Sequence, residues 1–485
     1  MFRAIGINFV GGIWTGVLIV STTPIFVSAL GFEGFGLIGF WQLLLLVSVI
    51  FDFGLGASLV REFARYNGNN EPKFKYIELL LALQPFYVLM SALVAAAIYF
   101  SANWLTNSWL KLTFISTADA SLIIKLMGGA IALQFISTLY SNGLAGLQQH
   151  GAMNSFQIFG NTLKYLGGVV VLLIFNNLII FFIYQLFAAL LVCLLTRRYL
   201  LGQMGKIKTH HLSKLDFSHI YKLSKYSTGM FMTALCGLLL ANIDRIVLSK
   251  FVHAEDFGRY TLAFTGAGLL QMVILAFYRS YFPKFSELKA IGDEGELKKI
   301  YFQGCRYLGA VIVPSAIAAC VFASDLFRIW MGSADETVVA VFRLMIIATT
   351  CSGLMWLPAA LQQAVGWTRL HISLMTLALF LGLPLLIFGI KAFGTIGATV
   401  MMLLHGLIEI TLGLWLMNRV LYPRDNLRWY FFVVMSPLMA AVPVVVLSVL
   451  YMPNGMERIE SFVWVVATGV IMLFAAVVLQ RRLSN

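Results

Sequence analysis

The strongest constraint on this chain is the length and recurrence of its apolar runs. A bilayer core is about 30 Å thick, and a helix needs about 20 mostly apolar residues to cross it. Runs of that length recur from one end of the 485 residues to the other. Bounded by charges, Pro, Asn or Gly, they fall near 5–30, 36–59, 77–100, 120–147, 153–175, 177–196, 224–250, 257–282, 304–331, 337–365, 370–390, 394–419, 429–451 and 459–480. No stretch remains for a folded catalytic domain outside the membrane. Only 11% of the residues are charged, whereas a soluble domain is about a quarter charged. The expected fold class is therefore an all-α integral membrane protein of about 14 transmembrane helices. The first run is too long for a signal-peptide core and lacks a small-residue cleavage site, so it is expected to be retained as the first helix.

An even number of crossings puts both termini on one side, and the distribution of Lys and Arg says which. Loops after the even-numbered crossings carry Arg61, Arg65, Lys73 and Lys75, then the basic stretch from Arg197 to Lys225, then Arg279 to Arg306, then Arg419, Arg424 and Arg428. With Arg3, Arg481 and Arg482, roughly two dozen of the 34 Lys and Arg lie on that side. It is expected to be cytoplasmic. The opposite loops carry few cations, such as Lys111, Lys391 and Arg458. The net charge of +13 is thus mainly a topology signal, and no basic soluble domain exists to bind nucleic acid. Five scattered cysteines, Cys193, Cys236, Cys305, Cys320 and Cys351, form no C-x-x-C pair, so neither a metal site nor a disulfide is expected. No cofactor is expected.

An internal repeat organises the crossings. Leu30-Gly-Phe-Glu-Gly-Phe-Gly after the first crossing is echoed by Val252-His-Ala-Glu-Asp-Phe-Gly after the seventh, with Phe35 and Phe257 222 positions apart and Glu33 aligned on Glu255. Gly146-Leu-Gln-Gln and Ala360-Leu-Gln-Gln, 214 positions apart, end the fourth and tenth. Equivalent positions at similar spacing suggest two six-helix lobes. Six crossings precede the seventh, so the lobes run parallel, an arrangement that suits alternating access. The expected domains are an N-lobe at 1–199, a basic cytoplasmic linker at 200–223, a C-lobe at 224–421 and a two-helix appendage at 422–485.

With these lobes, a Phe-Gly element after the first helix of each, and Asp52-Phe-Gly-Leu-Gly-Ala-Ser-Leu-Val-Arg61 ending the second crossing, the chain resembles the MOP exporter superfamily, and within it the Wzx-type O-antigen and polysaccharide flippases. The resemblance covers nearly the whole chain, although its motifs are short and shared with relatives. It implies a V-shaped, MATE-like transporter of the bacterial inner membrane that moves undecaprenyl-diphosphate-linked oligosaccharide from the cytoplasmic to the periplasmic leaflet. It also implies membrane lipids, a coupling ion such as H+ or Na+, and polysaccharide assembly proteins as partners. Many members have 12 helices; the extra pair here raises a lipid II flippase as an alternative. A cation-coupled multidrug exporter of the MATE type is a second alternative, and a membrane polymerase or ligase a third. The longest outer loop, about 101–119, holds only Lys111 and Asp119 as charges, too few for a paired-carboxylate or His-based active site, and no P-loop signature is present.

A charge near the bilayer centre costs about 2.5–3.5 kcal/mol on insertion scales, so such residues usually face the bundle interior. Lys164 stands in the middle of the fifth crossing. Lys125, Arg245 and Arg343 stand about five or six residues inside the outer ends of the fourth, seventh and tenth, roughly 8 Å deep. The excess is cationic, and a diphosphate is anionic with many acceptor oxygens, which Arg grips bidentately and Lys attracts as a point charge. These four are the candidate substrate-binding cations, with snorkelling to headgroups the alternative for Lys125 and Arg343. Glu409, one turn after His405 on the same face, is the candidate ion-coupling carboxylate. Asp52 is another, or else a cap or partner for a basic loop residue. The first crossing contains Gly12, Gly16 and Pro24 among several Ser and Thr, a set suited to a kinked gate helix or to close packing through Gly12-x-x-x-Gly16.

Overall fold

The computed structural model describes residues 2–68, 72–204, 237–239, 241–367, 369–423, 425–453 and 455–483. Among them the secondary structure is helical, with one isolated bridge between Lys111 and His253. Eleven helices are long and apolar enough to cross a membrane. The first of these, Gly11–Ile50, belongs to α1 (Phe2–Ile50), which loses helical geometry at Gly31 (φ 65°). Its 40 residues would reach about 60 Å if straight, twice a bilayer core, so the two expected crossings meet at a residue that only glycine accommodates readily. The span Phe380–Leu421 breaks in the same way at Gly394 (φ 58°), between the expected eleventh and twelfth crossings. Most of the expected seventh crossing, and the linker from Lys206 through Lys208, His210, His211 and Lys214 to Lys222, lie outside the described residues.

The chain divides into two compact units, Met1–Gly258 and Arg259–Asn485. In the first, α1 is followed by α2 (Leu55–Gly68), α3 (Lys73–Trp104), α4 (Thr117–Gly146), α5 (His150–Thr162), α6 (Gly168–Phe175), α7 (Leu178–Met204) and α8 (Ile243–Phe251). The core lies where α2, α3, α4 and α7 meet and is filled by Leu59, Phe63, Leu83, Tyr87, Phe135 and Leu200. Tyr87 stacks on Phe135 with ring centroids 5.0 Å apart. The turn at 51–54 separates α1 from α2 and takes positive φ at Phe53 and Gly54. Asp52 accepts hydrogen bonds there from the Gly56 backbone N–H and the Tyr87 hydroxyl.

The second unit comprises the rest of α9 (Ala254–Ile291), then α10 (Glu294–Val321), α11 (Ala323–Met331), α12 (Glu336–Leu354), α13 (Trp356–Ala364), α14 (Arg369–Ile408), α15 (Leu414–Leu421), α16 (Asn426–Tyr430), α17 (Ser436–Leu450) and α18 (Arg458–Arg482). The last two pack with the end of α10 around Phe322, Ala441, Val445, Val465 and Met472. Polar bonds pin them at both ends. Arg306 donates from Nε to the Gln480 side chain at 2.9 Å and from a terminal nitrogen to the Gln480 carbonyl at 2.8 Å, while Arg458 Nε donates to the Ile329 carbonyl at 2.8 Å. Asp325 and Arg328, three residues apart on α11, form a local ion pair at 3.8 Å.

Candidate functional site

The two copies of the repeated Phe-Gly element meet within the first unit. Phe35 and Phe257 are both buried. A Cβ added at Gly36 would collide with the Ala254 carbonyl oxygen, and one added at Gly258 with that of Phe32. Each carbonyl stands four residues before the opposite glycine, so the contact has local two-fold character. The chain also leaves helical geometry within one position of the same place in each copy, at Gly31 in the first and at the extended Val252 ahead of α9 in the second. Glu33 belongs to this element and is 4% exposed. Its carboxylate accepts the backbone N–H groups of Thr113, Phe114 and Ile115 at 3.1, 2.9 and 3.0 Å. The same loop donates from Lys111 Nζ to the Phe251 carbonyl at 2.7 Å and from Trp109 Nε1 to Ser249 at 3.0 Å.

One turn further along α1, Trp41 and Gln42 each meet one of the predicted cations. Lys164 lies in a single π-helical turn, Leu163–Gly167, between α5 and α6. A π turn widens the backbone and displaces carbonyls from their usual partners. Here α7 supplies replacements, Tyr184 donating to the Leu163 carbonyl at 3.0 Å and Gln185 to that of Lys164 at 2.8 Å. The ammonium sits 4.2 Å from the centre of the Trp41 ring and 5.6 Å from that of Tyr165, a cation–π arrangement that holds a charge without neutralising it. Among the described residues no carboxylate pairs with Lys164. A cavity of about 10 Å³, room for about one water, is lined by Lys164, Trp41, Gln42, Phe26, Phe181 and Gln185 among others.

Arg245, on α8, is 4% exposed and reaches the residue beside Trp41. It donates to Gln42 Oε1 at 3.2 Å, to the Gly39 carbonyl at 3.4 Å and to Asn242 Oδ1 at 3.5 Å. Consecutive residues of α1, Trp41 and Gln42, thus hold the two cations. The Trp41 ring holds the Lys164 ammonium by cation–π attraction, and the Gln42 carboxamide oxygen is one of the acceptors that receive the Arg245 guanidinium.

The other predicted residues lie elsewhere. Lys125 stands over the Tyr99 ring at 5.1 Å and lines a separate polar pocket with Asn103 and Ser121. Arg343 is exposed in the second unit, where its Nε donates to the Cys320 carbonyl at 3.0 Å. Glu409 opens a π turn and approaches His405 Nε2 at 3.6 Å, the spacing expected of residues four apart on one helix. Asp52 serves the 51–54 turn described above. Pro24 lies inside α1, but the non-helical geometry falls at Gly31. Gly16 is buried, whereas Gly12 is exposed and faces open space; Gly11 faces α5 at Asn154 and Ile158. Gln42, Gln185 and Glu33 were not among the predicted site residues, since nothing local to a lone Gln or Glu marks which distant backbone or cation it will meet.

The chain is 22% identical over 399 residues to a Shigella flexneri protein described as "Putative O-antigen transporter", covering 82% of this chain and 93% of that one. Its fold is similar to that of the lipid II flippase MurJ in an inward closed conformation, with a TM-score of 0.75, 13% identity and complete coverage of both chains. It is also similar to an inward-facing multidrug resistance MATE family transporter of the MOP superfamily, with a TM-score of 0.62, 12% identity, and coverage of 84% of this chain and 96% of that one. Residues 2–289 match the family described as "Polysaccharide biosynthesis protein", which is more than half of the chain and takes in both cations at Trp41 and Gln42. The chain is a multi-pass membrane protein with a MOP-type transporter fold, and it belongs to the polysaccharide biosynthesis protein family.

Proposed function

We propose that this protein is a flippase that carries an undecaprenyl-diphosphate-linked oligosaccharide, an O-antigen or related repeat unit, across the bacterial inner membrane by alternating access, with both termini cytoplasmic. The observation that carries the reading is Lys164. It is an ammonium in the middle of a crossing, held on the Trp41 ring with no carboxylate partner among the described residues, and Gln42, the next residue of α1, receives Arg245. A lone cation at that depth is unfavourable by a few kcal/mol, so its retention calls for an anionic visitor. A diphosphate fits: Lys164 would offer a point charge and Arg245 a planar fork of donors.

Membership of a polysaccharide biosynthesis family and the name of the Shigella relative support a glycolipid cargo over the cationic drugs that a MATE-type exporter would hold in an acidic cavity. Lipid II carries the same diphosphate and is the nearer alternative. An ion gradient or the membrane potential would drive transport, with Glu409 and His405 the carboxylate–imidazole pair available for a coupling proton.

The test is complementation of a strain lacking its own repeat-unit flippase. Wild type and Lys164→Arg are expected to restore surface polysaccharide, and Lys164→Gln to abolish it at equal membrane protein level. Full restoration by Lys164→Gln, or rescue of drug efflux without polysaccharide, would overturn the reading.

A further inference from the structure

The ends of α3 and α4 border an open depression of about 300 Å³, the size at which small-ligand pockets begin. It lies apart from the Trp41–Gln42 cluster and was built by a different part of the sequence. Its side chains are those of Asn103, Thr106, Asn107, Thr117, Ser121 and Lys125, with one alanine and no carboxylate. The bonding within it leaves four groups able to donate to a ligand, the Asn103 N–H₂, Asn107, Thr117 and Lys125, while the Thr106 and Ser121 hydroxyls, their protons used, offer only lone pairs. Ser121 donates to Asn103 Oδ1 at 2.6 Å, which occupies the acceptor end of that amide and leaves its N–H₂ end. Thr106 donates to the Ala102 and Asn103 carbonyls, both at 3.1 Å. The side chains of Asn107 and Thr117 and the ammonium of Lys125 make no hydrogen bond among the described residues; Lys125 rests on the Tyr99 ring at 5.1 Å. A pocket with four available donors, one of them cationic, and no carboxylate favours an anion with several acceptor oxygens.

Its depth narrows the choice. Tyr99, Phe100 and Trp104 are exposed beside it on the last turns of α3, and exposed Tyr and Trp at a helix end mark headgroup level. We infer that this pocket binds a phosphate group, and that the phosphate belongs to the headgroup of an outer-leaflet lipid. The Lys125 ammonium and the Asn107 amide hold the phosphate oxygens, and the exposed rings flank the first carbons of the acyl chains. The site is independent of the flippase reading, because its ligand is a resident of the bilayer rather than the cargo.

The full chain, purified in detergent, is titrated with phosphatidylglycerol, with diacylglycerol as the phosphate-free control, and with inorganic phosphate, and binding is read by native mass spectrometry and by ³¹P line broadening. Wild type is expected to bind phosphatidylglycerol at least tenfold more tightly than diacylglycerol. Lys125→Ala loses that preference and Lys125→Arg keeps it, with all three proteins monodisperse and equally helical. Should Lys125→Ala fail to purify, Asn107→Ala replaces it with the same expectation. Inorganic phosphate binding that Lys125→Ala abolishes, with phosphatidylglycerol unaffected, would support the phosphate chemistry and overturn the lipid source. If neither ligand distinguishes the variants from wild type, no phosphate site exists here.

Discussion

Replacing Glu33 by Gln tests how the repeated element holds the outer loop. The carboxylate receives three consecutive backbone N–H groups, with Oε1 taking Thr113 and Ile115 and Oε2 taking Phe114. The amide keeps one acceptor oxygen, so at least one charge-assisted bond is lost outright and the others become neutral ones. Hydrogen bonds to charged groups contribute about 1.5–3 kcal/mol each, against about 0.5–1.5 for neutral ones. The loop should therefore open more readily by at least about 1.5–3 kcal/mol, or roughly 10- to 150-fold at 1.4 kcal/mol per factor of ten. Amide hydrogen exchange, followed by mass spectrometry on a peptide covering 110–116, reads this directly: exchange should accelerate by that factor in Glu33→Gln, with the α4 core peptides unchanged. Equal exchange in both proteins would mean that the clamp contributes nothing and that the loop is held by Lys111 and Trp109 alone.

Further substitutions probe the packing and the turn at 51–54. Ala at Gly36 or Gly258 should destabilise by about 1–3 kcal/mol, the range for overpacking, and lower the melting temperature of the purified protein, while Ala at the exposed Gly12 should leave it unchanged. Tyr87→Phe removes a hydroxyl that donates to Asp52 and should reduce stability to chemical unfolding by about 1.5–3 kcal/mol; an unchanged unfolding midpoint would show that the Gly56 N–H alone satisfies that carboxylate.

The crossings were legible because hydrophobic length is a local property, and so were the cations, since a Lys amid apolar residues stands out in any window. The repeat was legible at Phe35 and Phe257 because side chains buried in equivalent places leave equivalent letters. What lies between them was not. That Gly36 and Gly258 press on each other's helices depends on a fold that joins residues 222 positions apart. The pairing of Glu409 with His405 followed from helical spacing alone, whereas the π turn under Lys164 has no sequence signature of its own and depends on Tyr184 and Gln185 arriving from α7. The sequence placed Lys164 in the middle of a crossing and Lys125 nearer a helix end, but not their surroundings, Trp41 and Tyr165 for the one and Tyr99 with a hydroxyl- and amide-lined pocket for the other. Gly12-x-x-x-Gly16 shows the limit of short motifs: the neighbouring Gly11 makes the contact, one residue off the pattern.

The central claim is that Lys164 receives the diphosphate of the cargo. Its most direct measurement is translocation of a fluorescent undecaprenyl-diphosphate oligosaccharide in proteoliposomes containing the purified full chain, with an imposed ion gradient and membrane potential. The account predicts transport by wild type and Lys164→Arg and background rates for Lys164→Gln reconstituted at the same density. Transport by Lys164→Gln at the wild-type rate would contradict it.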